Sequence, residues 1–148
     1  MLKLPPPVWA LAYVLACVAV SWGLGWPRLP GLHLAPLGMV LVVLALIPPI
    51  WAVVLFRRAG TELNPTSPAN HSLVVAGPFR FTRNPMYLGL VILTLGIALW
   101  VGAWPMLAAP IAVFATANWV HIPFEEAKMR RQFGTSFDDY TRRVRRWM

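Results

Sequence analysis

Long apolar runs separated by short polar breaks dominate the chain. No Asp, Glu, Lys or Arg occurs from Leu4 to Pro27, from Leu29 to Phe56, or from Asn84 to Phe124, and Gly102 and Pro105 divide the third gap. About 20 apolar residues in an α-helix cross a hydrocarbon layer of about 30 Å. The pattern therefore predicts an all-α membrane protein of about four transmembrane helices, near residues 8–26, 33–56, 85–104 and 105–122. The break between the last two is so short that they must form an antiparallel hairpin. Residues 1–148 read as a single membrane-embedded domain, with a polar loop over 57–84 and an amphipathic tail over 123–148.

Finer features qualify each run. Pro48 and Pro49 fall inside the second, where missing backbone donors should kink or break the helix. Cys17, Ser21 and Gly25 recur every fourth residue in the first run, a small-residue ridge suited to close packing, although chance composition explains it as well. The first run follows a basic start as a secretory signal would, but it is long and ends at Trp22 and Trp26 without a small-residue cleavage site. Pro123 closes the last run. Beyond it Met129, Phe133, Phe137, Tyr140, Val144 and Trp147 recur at three- and four-residue intervals among arginines, the pattern of a helix lying in the membrane interface, interrupted near Gly134.

Composition agrees with this reading, and charge adds orientation. The hydrophobic fraction is 58%, the charged fraction 12% and the mean hydropathy +0.61, far from a soluble average. With four spans, twelve Lys and Arg fall on one side and only Arg28 on the other. That puts both termini, the middle loop and the tail in the cytoplasm, of a cell inner membrane. The net charge of +8 accompanies no nucleic-acid fold signature, so anionic lipid is the expected partner. Cys17 is the single cysteine and reads as a small packing residue.

Candidate chemistry concentrates where the loop becomes a helix, Gly77-Pro78-Phe79-Arg80-Phe81-Thr82-Arg83-Asn84-Pro85-Met86-Tyr87-Leu88-Gly89. Asn84 can cap the helix, Pro85 suits its first position, and the exposed backbone N–H groups favour an anion. Charge sorting puts this motif on the same side as Glu125-Glu126, and the hairpin brings the two together.

The run GPFRFTRNPMYLG, followed after one hairpin by EEAKMRRQFGTSFDDYTRRVRRW, resembles the integral-membrane methyltransferases that include isoprenylcysteine carboxyl methyltransferases and phospholipid N-methyltransferases. Gly60-Thr61 to Pro65 and Leu73-Val74 fit as well, so the resemblance spans roughly Arg57 to Trp147. It implies S-adenosylmethionine as methyl donor, without a metal, and a lipidic or amphipathic acceptor carrying a carboxylate, thiol or amine. The cofactor-binding set it implies is Arg83, Asn84, Pro85, Tyr87, Leu88, Gly89, His121, Glu125 and Glu126. Arg83 or Arg80 would hold the cofactor carboxylate. Either glutamate would meet its ammonium or ribose. Tyr87 would offer a ring face and a hydroxyl, and Gly89 a close backbone approach.

Asn84 stands where eukaryotic members of that family often have histidine, and asparagine cannot carry a proton near neutral pH. This tilts the expected acceptor toward an anionic or already neutral group, which attacks the methyl carbon in line with little need for a base. His121 could touch the cofactor or simply satisfy a backbone group. His71 reads as a solvated loop residue and His33 lies on the opposite side. Tail arginines read as lipid-phosphate ligands, with Arg130 or Arg131 near enough to reach the site, and Asp138 and Asp139 as their partners. Two other functions fit the same hydropathy: a non-catalytic membrane scaffold, or a small transporter, against which the lack of ionisable residues inside the spans argues.

Overall fold

The computed structural model describes residues 5–60 and 73–148. Lys3 and the loop from Thr61 to His71, including Glu62 and His71, lie outside the described residues. Among the described residues the chain is helical, in the order α1 (Pro6–Gly23), α2 (Ala35–Ala45), α3 (Ile47–Arg58), α4 (Pro85–Val101), α5 (Ala108–Thr116), α6 (Ile122–Phe133) and α7 (Thr135–Arg143). Short 3-10 turns over Gly77–Arg80 and Trp104–Leu107 precede α4 and α5. Three stretches are long and apolar enough to cross a membrane, Pro6–Gly23, Ala35–Arg58 and Trp104–Phe133, and α4 is a shorter apolar helix beside them.

α2 and α3 form one path that is interrupted at Leu46, ahead of Pro48 and Pro49. Pro49 has no N–H to offer the Ala45 carbonyl one turn earlier. That carbonyl faces α4, where a Cβ on Gly89 would lie 2.7 Å from its oxygen. One turn pair further on, a Cβ on Gly96 would lie 2.8 Å from the Gly38 carbonyl oxygen. α2 and α4 therefore cross with backbone nearly on backbone, an approach only small residues permit.

The far end of the bundle is sealed mostly by main chain. Gly102 ends α4 at φ 75, and its N–H donates to Ala98, the left-handed stop that glycine adopts without steric cost. His33 packs directly over it. The Leu34 N–H donates to Leu99 at 3.1 Å and the Trp104 N–H to Pro27 at 3.1 Å. In the first run Ser21 is buried and bonds back to the Cys17 carbonyl, whereas Gly25 lies past the end of α1 and is exposed, so the expected ridge shrinks to its first two members.

Two expectations are corrected here. Pro123 does not end the last span: a π-helical turn over Ala117–His121 links α5 to α6, and Trp104–Phe133 runs as one helical path of 30 residues. The Ile122 N–H reaches back to Ala117, and this widened turn accommodates a proline that would leave an α-helical carbonyl unpaired. From Trp104 to Glu125 the helical path rises about 32 Å, so Glu125 and Glu126 stand about one hydrocarbon thickness, about 30 Å, from its start. The tail, secondly, covers its apolar stripe with protein, where lipid was expected to cover it. Its stripe of Met129, Phe133, Phe137, Tyr140 and Val144 turns inward onto Ala52 and Phe79. Covering those side chains removes the same apolar area from water as lipid would, and a polar bond adds direction: the Tyr140 hydroxyl donates to the Phe79 carbonyl at 2.7 Å.

Candidate functional site

The motif enters α4 through the Gly77–Arg80 turn, which buries Pro78 and Phe79. Thr82 and Asn84 are buried as well, and the Asn84 N–H donates to the Thr82 hydroxyl at 3.1 Å. Asn84 occupies the position before α4, yet its side chain makes no capping bond. The capping expectation is corrected by a competing acceptor: Asn84 Nδ2 donates to the Arg146 carbonyl at 2.9 Å, and the Thr82 hydroxyl donates to the same oxygen at 3.0 Å.

The two glutamates project from the start of α6 with different surroundings. Glu125 accepts a bond from the Tyr87 hydroxyl at 2.6 Å, across from α4. Glu126 meets two guanidinium groups, Arg83 at 3.0 Å and Arg146 at 2.6 Å. The side chains of Arg83 and Glu126 are only 14% and 16% exposed, against 56% and 43% for Arg130 and Asp138 on the surface. The buried pairs are thus screened far less than the exposed one. Two cations around one carboxylate leave an excess of positive charge beside Asn84, while Glu125 next door offers a carboxyl group held by the Tyr87 hydroxyl.

A ring cluster abuts Glu125. Trp9 of α1 stacks on His121 with ring centroids 5.0 Å apart and on Tyr87 at 6.4 Å. All three side chains are buried. Trp9 Nε1, His121 Nε2 and Arg83 Nε are buried nitrogens without a hydrogen-bond partner among the described residues. Buried polar atoms are normally satisfied, so the two in the ring stack and the third on Arg83, beside Glu126, call for a ligand or water. In the same end of the molecule, burial pushes the Tyr140 hydroxyl above its usual range.

Beyond Thr82 an apolar groove of about 190 Å³ opens, lined by Ile47, Pro48, Trp51, Phe81, Leu88 and Met148 among others. Leu88 therefore faces the groove rather than the rings. Pro85 is fully buried at the first position of α4, and the open side of Gly89 is filled by Ala45 and Pro49 of the neighbouring path. Arg80 is exposed, Arg130 pairs with Asp138 at 2.8 Å, Arg142 with Asp139 at 3.8 Å, and Arg131 is exposed. His33 lies at the opposite end.

Three contributors escape sequence reasoning. Trp9 sits in a run that carries little beyond hydrophobicity. Arg146 is one of several tail arginines with nothing to single it out. Asn118 accepts from Trp147 Nε1 at 3.1 Å and lies in the π turn; a lone amide within the last apolar run was a readable signal, since buried polar groups in membrane helices need a reason.

The phospholipid methyltransferase family profile matches residues 34–136. Protein-S-isoprenylcysteine O-methyltransferase B of Arabidopsis thaliana is 29% identical over 114 residues, covering 72% of this chain and 55% of that protein. The chain thus spans about half the length of this curated relative. No solved structure matches it. Trp9 and the segment Arg145–Trp147 fall outside the matched residues.

Proposed function

Because the chain belongs to the phospholipid methyltransferase family, we propose that it transfers a methyl group from S-adenosylmethionine to a lipidic or amphipathic acceptor at the cytoplasmic face of the membrane. The observation that carries this reading is the pair of buried, unpartnered nitrogens on Trp9 and His121, whose rings stack beside the Tyr87–Glu125 pair. The cofactor offers complementary groups: a carboxylate, an ammonium, ribose hydroxyls, an adenine ring and a sulfonium. S-adenosylmethionine supplies an activated methyl on a positive sulfur.

The residues fit these demands by charge and kind. Arg83, whose Nε lacks a partner, and the excess positive charge at Glu126 suit the carboxylate. Glu125 suits a cationic or hydroxyl group, and Tyr87 orients it by donating to one oxygen. The rings of Trp9, His121 and Tyr87 exclude water and offer faces to an adenine or a sulfonium. Exclusion of water and alignment are the main contributions such a transfer needs. The apolar groove beside Thr82 suits the hydrocarbon part of an acceptor arriving from the bilayer.

Within this reading the two glutamates divide their work. Glu125 faces the rings, and Glu126 is taken up by guanidinium groups. Titration calorimetry of S-adenosylmethionine into the detergent-solubilised protein tests the proposal. The wild type is expected to bind and Glu125→Ala to lose binding while keeping its melting profile. A folded wild type that takes up no cofactor would falsify the reading and favour a non-catalytic scaffold. Incubating membranes with cofactor labelled in the methyl group then identifies the acceptor.

A further inference from the structure

The main chain and side chain of Arg146 hold together the two helices that carry the site. Its guanidinium spans the Glu126 carboxylate with two bonds, Nε to Oε1 at 3.2 Å and Nη2 to Oε2 at 2.6 Å, and its third nitrogen turns to the carbonyl and side-chain oxygens of Asn118 at 3.4 Å. One side chain thereby ties α6 to the π turn that precedes it. Its carbonyl collects the Thr82 hydroxyl and the Asn84 amide, and the carbonyl of Arg145 accepts from the Arg83 N–H at 3.0 Å. The next residue, Trp147, donates to Asn118 and lies against Phe114 with ring centroids 4.8 Å apart.

The consequence for the site is geometric. Tyr87 stands in the first turn of α4 and Glu125 in the first turn of α6, so the 2.6 Å bond between them depends on how the two helix starts are placed. Arg146 grips Thr82 and Asn84, in the turn that leads into the α4 start, and Glu126, the residue immediately after Glu125.

We infer that Arg146 is a positioning residue of the methyl-transfer site, fixing the Tyr87–Glu125 pair through Glu126 and the Thr82–Asn84 turn, and is not one of the tail arginines that meet lipid phosphate. The inference rests on the proposed function, because the site it positions is the cofactor site. It also gives Glu126 an anchoring role in place of direct cofactor contact. Arginine is required for its shape: a planar fork can span a carboxylate and still present a further N–H, whereas a lysine ammonium meets it as a point charge.

Two measurements in detergent micelles test this, cofactor affinity by calorimetry and hydrogen exchange of the Arg83 amide. Arg146→Gln is expected to weaken S-adenosylmethionine binding about tenfold or more and to speed that exchange at least about tenfold, as follows from losing hydrogen bonds to a charged group. Adding Glu126→Gln to it should weaken binding by less than the product of the two single effects, since both substitutions break the Arg146–Glu126 linkage and only the second also breaks the Arg83–Glu126 pair. Arg146→Lys keeps the charge and should still weaken binding about threefold to tenfold, which keeps the test available should the glutamine variant not fold. Arg142→Gln, at an exposed position, serves as the control that binds normally.

A residue that only stabilises the fold would lower the melting temperature while the folded fraction bound with unchanged affinity. That result, or a lysine variant equal to wild type, overturns the inference. A wild type that binds no cofactor overturns the functional reading and the positioning role together. Wild-type binding matched by Arg146→Gln overturns the positioning role alone.

Discussion

The two ends of α4 contrast. At one, Gly102 stops the helix in a left-handed turn under His33, and the neighbouring chain is held by main-chain bonds from Leu34 and Trp104. At the other, Thr82, Arg83, Asn84 and Tyr87 send bonds to Arg145, Arg146, Glu125 and Glu126. The first end uses groups every residue has and leaves no charged side chain buried there among the described residues. The second gathers buried charge, which is expensive beside hydrocarbon unless paired. An end that carries such groups is one where something must be recognised, and the glycine crossing between α2 and α4 is the rigid base from which it projects.

Disturbing the base should cost more than disturbing the site. Gly96→Leu would drive side-chain atoms into the Gly38 carbonyl and Val42, both within 3.0 Å of a Cβ there, and overpacking of this kind costs about 3 kcal/mol. Size-exclusion profiles and melting curves in detergent should show loss of the folded form. If Gly96→Leu melts like wild type, the α2–α4 crossing is not the base of the fold.

Next in size comes Glu125→Gln, which keeps the shape and removes the charge. The loss of a charge-assisted bond is worth about 1.5–3 kcal/mol, or about tenfold to a hundredfold in cofactor affinity, with little change in melting temperature. Equal affinity in this variant would shift the recognition of the cofactor away from Glu125. Tyr87→Phe removes only the 2.6 Å bond that orients Glu125, so calorimetry should find about 1 kcal/mol, several-fold in affinity. At the small end, Arg130→Ala breaks an exposed pair with Asp138. Neither melting temperature nor cofactor affinity should change, and a clear effect would mean that charge on the surface, rather than burial, organises this end.

Much of this arrangement was legible from hydropathy and charge. Apolar runs marked the helices because only a helix satisfies its own backbone in hydrocarbon, and the sorting of Lys and Arg put the motif and Glu125-Glu126 on one side. Pro48-Pro49 announced the break in the helix at Leu46, and the short break at Gly102 announced the hairpin. Pro123 misled, because a π turn can absorb a proline and nothing local in the sequence announces one. The tail misled in another way: periodicity shows that Met129 to Val144 have an apolar face, but lipid and the protein's own Phe79 compete for it on equal terms.

What the sequence by itself determined is the material of the site: which residues can bear charge, and that the motif meets Glu125-Glu126 across a hairpin at one end of the bundle. Those properties belong to single residues and to their spacing. Only the tertiary structure decided their division of labour, with Glu125 turned to Tyr87 and Glu126 to Arg83 and Arg146, Asn84 bound to Arg146 instead of capping, and Trp9 carried in from α1. The reason is that adjacent residues on a helix point about 100° apart, so neighbours alike in chemistry face different partners, and those partners come from segments distant in sequence.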